Sequence, residues 1–394
     1  MKTYAVISEF NPFHNGHKYL IDTLKSDGSS VVAIMSGNFV ERGDVAIIDK
    51  YARAEAGVRC GVDLVIELPA PWCFSGAEFF ALGGVAVANG LGVVEALAFG
   101  SESGDICSLT ECAERLSSDE FLAALSSARE ENRDKGIAAL RAEVYASLYG
   151  ESEHFSGSNN LLALEYIRAL KKLESNIVPT TVKRIGEVYN SEELCEICSA
   201  TAIRRVLAPD ARDFSRRDLS RYMPNEAYSI LKRELEGGRQ YDLSKLDAAV
   251  LARFRAAMPE DLSDIMEMSG GIENRLVELS NSCRSINEFV ESAKGKHYSV
   301  SRLRRVMIAS LLGVTMSDVE TPPLFTNVLA ANRRGRELLA LMRKRATISV
   351  LSKMSDANKL EGEAAKQYAL HLRAERVAEL CCEGQPRKVG AMMI

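Results

Sequence analysis

The sequence has 394 residues, of which 46% are hydrophobic and 26% charged, and its formal net charge at pH 7 is −5. This composition is typical of a globular protein, and the length predicts two or three domains. No apolar run approaches the ~20 residues of a membrane helix, and the chain opens on a strand pattern instead of a signal peptide. We therefore expect a cytoplasmic protein without membrane association.

The nine cysteines do not indicate a disulfide framework, because an odd number is scattered along a long chain. Cys195 and Cys198 form a lone C-x-x-C motif. Zinc would need two further ligands, and the sequence offers no second C-x-x-C and no spaced histidine pair. Partly buried structural thiols are favoured, and no metal site is predicted.

The charge is distributed unevenly along the chain. Residues 1–214 carry a net charge of −11, whereas residues 215–394 carry +6. A basic half joined to an acidic half suggests that a polyanion docks on the second one. We predict a catalytic domain over residues 1–214 and a basic domain over residues 215–394.

The stretch around two early histidines dominates the prediction of function. A predicted strand from Tyr4 to Ile7 is interrupted by proline, and apolar residues recur at helical spacing from His14 onward. His14 and His17 therefore lie on one face of a first helical turn, where unpaired N–H groups favour an anion and Gly16 lets a phosphate approach. The alternative is that both imidazoles are capping or surface residues, but the strand, loop and helix context favours a nucleotide site.

Strands and helices then alternate along the first half. Predicted strands cover residues 31–35, 62–68, 93–100 and 180–186, with predicted helices near 50–60, 77–88 and 161–173. This alternation predicts a Rossmann-like, doubly wound parallel sheet that binds ligands at the carboxyl ends of its strands, where Gly100 lies. Residues 101–157 are acidic and helical in pattern, without a readable function. Beyond 215 the pattern is helical, so we predict an α/β fold followed by an all-helical C-terminal domain.

A second constellation follows the last predicted strand. Ser199 and Thr201 can cap a new helix whose N–H groups face a phosphate, and Arg204 can supply a bidentate donor to phosphate oxygens. Taken alone, this S-x-T-x-x-R pattern is only a capped helix start. Its position after a fold that opens with H-x-G-H favours a second phosphate contact.

These motifs together resemble the tRNA(Met) cytidine acetate ligase family. The resemblance rests on N-P-F-H-N-G-H, M-S-G-N-F, V-D-L-V-I-E-L-P, A-F-G-S-E, S-N-N-L-L, K-R-I-G and S-A-T-A-I-R, and weakens beyond residue 215. Two departures are the Gly-Ser-Asn-Asn block at 157–160, which lacks an expected proline, and a first strand that ends in Ser8-Glu9-Phe10. By resemblance the ATP site comprises Ile7, Ser8, Glu9, Phe10, Asn11, Pro12, Phe13, His14, Asn15, Gly16, His17, Lys18, Tyr19, Leu20, Gly100, Asn159, Asn160, Arg184 and Ile185.

The resemblance implies a ligase that works in two half-reactions on elongator tRNA(Met). Acetate would attack the α-phosphorus of ATP, brought with Mg²⁺, and the wobble cytidine would take the acetyl group to become N4-acetylcytidine. His14 and His17 would stabilise the α-phosphate, while Arg204, Ser199 and Thr201 would hold pyrophosphate. No obligate protein partner is evident. The alternatives are an adenylyltransferase or acyl-adenylate ligase for a small molecule or carrier protein, and a non-catalytic nucleotide-sensing RNA-binding protein.

Three basic clusters in the second half favour an RNA-backbone surface over an ordinary solvated face. The first comprises Arg302, Arg304 and Arg305. The other two are Arg333, Arg334 and Arg336, and then Arg343, Lys344 and Arg345. We expect at least one of them to contact tRNA phosphates.

Overall fold

The structure is a computed structural model, and it describes residues 2–132, 135–184, 199–207, 218–295, 298–385 and 390–394. Three residues singled out in the sequence, Ile185, Cys195 and Cys198, lie outside these ranges.

A mainly parallel sheet forms the centre of the described chain. Its path is β10-β8-β5-β2-β1-β6-β7, with β9 paired to β8, while β3 and β4 form a separate antiparallel pair. The strands are β1 (Thr3–Ser8), β2 (Ser30–Ser36), β3 (Phe39–Val40), β4 (Asp44–Val45), β5 (Leu64–Leu68), β6 (Ala96–Ser101), β7 (Val178–Lys183), β8 (Phe325–Ala331), β9 (Ser349–Leu351) and β10 (Met392–Met393). The carboxyl ends of β1, β2, β5, β6 and β7 meet at one edge, because these strands pair in parallel.

Helices cover the sheet and form most of the remaining described chain. They are α1 (Asn15–Lys25), α2 (Lys50–Arg59), α3 (Ala77–Gly90), α4 (Ile106–Arg115), α5 (Asp119–Glu131), α6 (Ile137–Tyr149), α7 (Ser158–Lys172), α8 (Ala200–Val206), α9 (Asn225–Glu236), α10 (Asp247–Arg255), α11 (Ile272–Ser280), α12 (Ile286–Ala293), α13 (Val300–Leu312), α14 (Ser317–Glu320), α15 (Arg333–Arg345) and α16 (Gly362–Glu379). None of the helices in the described part of the chain is long and apolar enough to cross a membrane.

The mixed α/β class and the parallel sheet are confirmed, but the residues after 215 are not all helical. β8 pairs antiparallel with β5, and β9 and β10 pair with β8. The run Phe325–Ala331 is almost continuously buried, so its pattern alone does not distinguish a strand from a helix. The second half thus completes the central sheet, and the predicted division at 214 stays a prediction.

The basic cluster on α13 faces acidic side chains of the protein. Arg305 is buried, and its guanidinium donates two 2.8 Å hydrogen bonds to the Glu267 carboxylate and lies 3.4 Å from Glu41. Arg304 pairs with Asp44 at 3.1 Å. Arg302 donates to the Glu267 carbonyl. The contacts with Glu41 and Asp44 connect α13 to the first half of the chain, whereas the basic side chains of α15 are exposed.

Candidate active site

A buried arginine, Arg53, hydrogen-bonds the loop after β1. The Arg53 guanidinium donates to the Glu9 carbonyl at 2.5 Å, to the Ser36 carbonyl at 3.2 Å and to the Gly37 carbonyl, and these carbonyls follow or end β1 and β2. Phe10 adopts a left-handed backbone with φ of 46°, a conformation that a bulky residue rarely takes. Arg53 therefore fixes the carboxyl ends of two neighbouring strands beside the histidine motif.

His14 and His17 form a stacked pair at the start of α1. Their ring centroids are 3.8 Å apart. His14 Nδ1 accepts a hydrogen bond from the Gly16 N–H at 3.0 Å, and His17 Nδ1 accepts one from the His14 N–H at 3.2 Å. Because both Nδ1 atoms act as acceptors, each neutral ring carries its proton on Nε2. The capping box thus leaves two imidazole N–H donors for a ligand.

Both imidazoles are neutral near pH 7 in the ligand-free protein. Burial, followed by the charges of Arg184 and Arg204, lowers the pKa of His14 to about 3. Burial, His14 and Arg184 hold the pKa of His17 well below its ordinary value. The cationic environment therefore comes from the arginines, while the histidines supply neutral donors. An incoming phosphate would relieve this positive field.

We expect the unfolding free energy to fall as the pH drops below 6.5. The pKa of His14 is lower in the folded protein than the ~6.5 of an unfolded chain, so acid protonates the unfolded chain first and favours it. One such group contributes about 2 kcal/mol between pH 6.5 and 5. Urea unfolding at pH 7, 6 and 5 measures the effect, and His14→Gln should reduce it. Burial raises the pKa of Glu41 to about 7, which acts in the opposite direction in both proteins. An equal pH dependence in His14→Gln and the wild-type protein would therefore contradict the pKa assignment.

The predicted anion site at the α1 N-terminus requires a correction. The Asn15 N–H donates to the Tyr222 carbonyl at 3.0 Å, and the Gly16 N–H donates to His14. The N–H groups of His17 and Lys18 both donate to the His14 carbonyl. The first N–H groups of the helix already have partners, because the histidine caps the turn itself. The donors that this turn retains are the imidazole Nε2–H groups.

A pocket of about 130 Å³ opens beside His17 between β1, β6 and α7. Its wall includes Ser8, whose hydroxyl is buried without a hydrogen-bond partner among the described residues. Such an orphaned polar group favours a ligand that completes its hydrogen bonds. The predicted residues that line the pocket are Ile7, Ser8, Phe10, His17, Leu20, Gly100, Asn159 and Arg184. Tyr166, also in the wall, was missed because it lies within an ordinary helical pattern.

The remaining residues of the predicted stretch support the pocket or lie outside it. Phe13 is buried, and its ring centroid is 5.4 Å from that of His17. The Asn11 side chain accepts the Ile47 N–H at 2.8 Å, and Pro12 follows it in the buried loop. Lys18 pairs with Asp22 at the helix surface, and Tyr19 is exposed.

Glu102, which the sequence analysis did not list as a site residue, organises the opposite wall. Its carboxylate accepts the Asn160 N–H at 2.7 Å and the Asn159 side-chain N–H at 2.7 Å. The Asn160 side chain in turn accepts the Glu102 N–H at 2.9 Å. Glu102 thus caps α7, and Asn160 is a buried structural residue. Asn159 stays beside the pocket, where its side-chain oxygen accepts a hydrogen bond from Arg184 at 3.2 Å.

Gly100 permits the close approach of Arg184 to β6. A Cβ at position 100 would lie 3.2 Å from Arg184 Cγ, which is tighter than ordinary van der Waals contact. The arginine stem therefore crosses the strand end directly over the glycine. The structure brings Gly100, Asn159, Arg184 and the histidine pair to one edge of the sheet.

The second motif meets the first through Arg204. Ser199 caps α8 by accepting the Ala202 N–H at 3.2 Å. Arg204 donates to the Asn11 carbonyl at 2.7 Å and to the Thr201 hydroxyl at 3.1 Å. Arg204 therefore connects α8 to the loop that carries the histidines, while its charge acts on His14.

The described residues contain one group with metal-ligand spacing, formed by Glu67, His371 and Glu375. Lys50 occupies its centre, with Nζ 2.7 Å from Glu67 and 2.6 Å from Glu375. Burial would lower the pKa of Lys50, but the two carboxylates outweigh it and raise the pKa. The ammonium group takes the place of a cation, so this cluster is a buried ion-pair network connecting α16 to the sheet.

Comparisons with known proteins agree with this geometry. The HIGH Nucleotidyl Transferase family model matches residues 1–390. A tRNA(Met) cytidine acetate ligase of Acetivibrio thermocellus is 34% identical over 372 residues, which cover 90% of this chain and 89% of the relative. The corresponding ligase of Fervidobacterium nodosum is 35% identical over 381 residues, 94% of this chain and 88% of the relative. The chain belongs to the tRNA(Met) cytidine acetate ligase family.

A solved structure has the same architecture as this chain. The crystal structure of Thermotoga maritima TmcAL bound with alpha-thio ATP matches with a TM-score of 0.89 and 31% identity, over 100% of both chains. The neighbour binds a nucleotide, and the nucleotidyltransferase-type fold predicted from the sequence is confirmed. The individual residue assignments in this ligase-family site stay predictions.

Proposed function

We propose that this protein is a tRNA(Met) cytidine acetate ligase that activates acetate with ATP. An acetate oxygen attacks the α-phosphorus, the bond to the bridging oxygen breaks, and acetyl-adenylate and pyrophosphate form. The N4 amine of the wobble cytidine then attacks the acetyl carbon, the bond to AMP breaks, and N4 loses a proton. Both steps proceed without a nucleophile from the protein.

The histidine pair carries this proposal. The two neutral imidazoles have ring centroids 3.8 Å apart, and each keeps its proton on Nε2 because Nδ1 accepts a backbone N–H. His17 lines the pocket that also contains the orphaned Ser8 hydroxyl. Arg184 and Arg204 supply positive charge to the same place. Preorganised donors and charge are what an α-phosphate needs as negative charge develops on its oxygens.

Arg204, with Ser199 and Thr201, is proposed to hold the departing pyrophosphate. Its guanidinium lies at the histidine loop, where it donates to the Asn11 carbonyl, and a guanidinium is a strong donor to phosphate oxygens. Mg²⁺ would enter bound to the ATP phosphates and neutralise their charge, since Mg²⁺ commonly binds through substrate phosphates. Glu9 is a hard oxygen donor in the loop after β1, and its carboxylate accepts the Glu41 N–H at 2.9 Å.

Acetate-dependent exchange of labelled pyrophosphate into ATP, without RNA, tests the first half-reaction. We expect exchange with acetate and none without it, because the site is built for attack at the α-phosphorus. Formation of N4-acetylcytidine in tRNA(Met), followed by nucleoside mass spectrometry, tests the second half-reaction. Exchange that ignores acetate and depends on a phosphopantetheine or a nicotinate nucleotide would support the small-molecule alternative.

We propose α15 as a surface that contacts tRNA phosphates. Arg333, Arg334 and Arg336 are all exposed, and the Arg333 side chain is 88% exposed. Changing all three to Ala should reduce the slope of log affinity against log salt by about 2–3, since each phosphate contact contributes roughly 0.7–0.9. Filter binding of tRNA(Met) at several salt concentrations measures this slope.

A matched control for α15 uses the exposed pair Lys171 and Lys172 on α7. Their change to Ala removes positive charge from the acidic half and should leave the slope near the wild-type value. Equal slopes for the α15 variant and the wild-type protein would remove this cluster from the interface. Cytoplasmic location and the lack of an obligate protein partner stay predictions.

A further inference from the structure

A second cavity, of about 200 Å³, has Arg204 in its wall. It opens where β4 and α8 meet the helices that follow residue 240. Apolar side chains, including the buried Val45, Leu207 and Ile286, form part of its wall. Its polar wall contains Asp44, Arg204, Gln240, Asp242, Ser244, Asp247, Asn287 and Arg304.

The polar groups of this cavity place a carboxylate beside a guanidinium. Arg304 Nη1 donates to Asp44 Oδ2 at 3.1 Å, and Arg304 Nη2 donates to Asn287 Oδ1 at 3.1 Å. The Nε atom of Arg304 is buried and has no partner among the described residues. Burial raises the pKa of Asp44 despite the arginine, while the side chain keeps 40% of its surface accessible to a ligand. The wall thus carries the Asp44 carboxylate, an acceptor, next to the Arg304 guanidinium, whose N–H donors are not all paired within the described chain.

Arg204 connects this cavity to the histidine pair. It lines the cavity, donates to the Asn11 carbonyl three residues before His14, and acts electrostatically on both His14 and Asp44. A group bound in the cavity would therefore lie next to the place proposed for the adenylate. The second substrate of the ligase needs such a position.

We propose that this cavity receives the cytosine base of the tRNA, an inference that rests on the function proposed above. A base extruded from its stack is read through hydrogen bonds to its Watson–Crick edge and through apolar contacts to its faces. On that edge cytosine presents the N4 amine as a donor beside N3 and O2 as acceptors. The Asp44 carboxylate matches the amine, the Arg304 guanidinium matches the acceptors, and the apolar wall contacts the ring.

The same arrangement excludes uracil and positions the amine for reaction. Uracil places a carbonyl where cytosine has its amine, so the Asp44 carboxylate would face an acceptor and repel it. When N4 attacks the acetyl carbon, the bond to AMP breaks and the N4 proton passes to the Asp44 carboxylate. Asp44 then acts as a catalytic residue for acetyl transfer.

The test compares two variants with a matched control on tRNA(Met) transcripts that carry cytidine or uridine at the target position. Asp44→Asn keeps an acceptor for the Val45 N–H but replaces the carboxylate, and Arg304→Met keeps an apolar stem without its donors. Glu288→Gln, on the neighbouring α12 but outside the cavity wall, removes one negative charge nearby. Affinity for both transcripts, acetate-dependent exchange and melting temperature are measured on each protein.

We expect the wild-type protein and Glu288→Gln to prefer cytidine by roughly 10-fold or more, since one good base contact pair contributes about 1–3 kcal/mol of discrimination. Asp44→Asn and Arg304→Met should lose most of this preference for cytidine, because contacts to a base determine sequence preference. The slope of log affinity against log salt should stay unchanged, because it depends on phosphate contacts, and pyrophosphate exchange should be retained. Acetylation by Asp44→Asn should fall by about 100-fold.

Two results would overturn the proposed base pocket. A wild-type cytidine preference in both folded variants would show that the base binds elsewhere. Loss of exchange in Asp44→Asn at an unchanged melting temperature would assign the cavity to acetate activation. A wild-type protein without acetate-dependent exchange would instead contradict the proposed function. The affinities for the cytidine and uridine transcripts would still test the proposed base pocket.

Discussion

Replacing His17 with Ala lowers acetate-dependent pyrophosphate exchange by roughly 10²–10³, the usual loss for one preorganised donor to a developing anion. The imidazole contributes an Nε2–H donor beside the pocket while its Nδ1 accepts the His14 N–H at 3.2 Å. The measurement is the exchange rate at saturating ATP and acetate, together with the melting temperature.

A second variant separates the chemical role of His17 from its capping role. His17 is the third residue of α1, where glutamine is a standard capping-box residue, so His17→Gln can still accept the His14 N–H. We expect His17→Gln to recover only part of the exchange lost in His17→Ala, because its amide N–H can still donate but lies on a flexible side chain and not at the position of the imidazole Nε2. Lys18→Ala, on the exposed surface of the same turn, should retain exchange. Full recovery in His17→Gln would show that exchange does not require the imidazole itself.

Replacing Arg305 with Ala should lower the unfolding free energy by about 3–5 kcal/mol, since it leaves a buried carboxylate without its partner. The Arg305 and Glu267 side chains are only 10% and 14% exposed, and two 2.8 Å hydrogen bonds join them. This contact connects α13 to the segment before α11, and Glu41 adds a contact to the first half of the chain. Urea unfolding at pH 7 measures the loss.

The control for Arg305 is Arg333→Ala on α15, whose side chain is 88% exposed and 3.6 Å from Glu337. A surface ion pair of this kind contributes little, so its unfolding free energy should change by less than about 0.5 kcal/mol. Arg305→Met combined with Glu267→Gln should recover part of the lost stability, because no unpaired charge then remains in that pair. Equal stability of Arg305→Ala and the wild-type protein would mean that the pair is solvated.

The first half of the fold was predictable because its periodic patterns are local. Asp49 caps α2 by accepting the N–H groups of Tyr51 and Ala52, as its position before the helix predicts. The predicted strand at 62–68 is observed as β5 over Leu64–Leu68. β8 was not predictable in the same way, because its partner β5 lies more than 250 residues earlier in the chain. An apolar run of this length is compatible with a strand or a helix until the partner is known.

The proximity of the two histidines was predictable, but their protonation was not. Spacing alone placed His14 and His17 on one face of a turn. Their neutral state depends on burial and on Arg184 and Arg204, which are distant in sequence. The capping bonds that direct both Nε2 protons toward a ligand also required coordinates. Electrostatics of this kind arises from neighbours in space.

The basic residues also show the difference between what a sequence pattern predicts and what the folded structure decides. Arg302, Arg304 and Arg305 read like Arg333, Arg334 and Arg336, a short cationic cluster on a helix. By itself the sequence determined the α/β class, the nucleotide motif and the positive charge of the second half, because these follow from local periodicity and composition. Only the tertiary structure decided that the α13 arginines face Glu267 and Asp44 while the α15 arginines face solvent, since burial and ion pairing depend on which surfaces meet after folding.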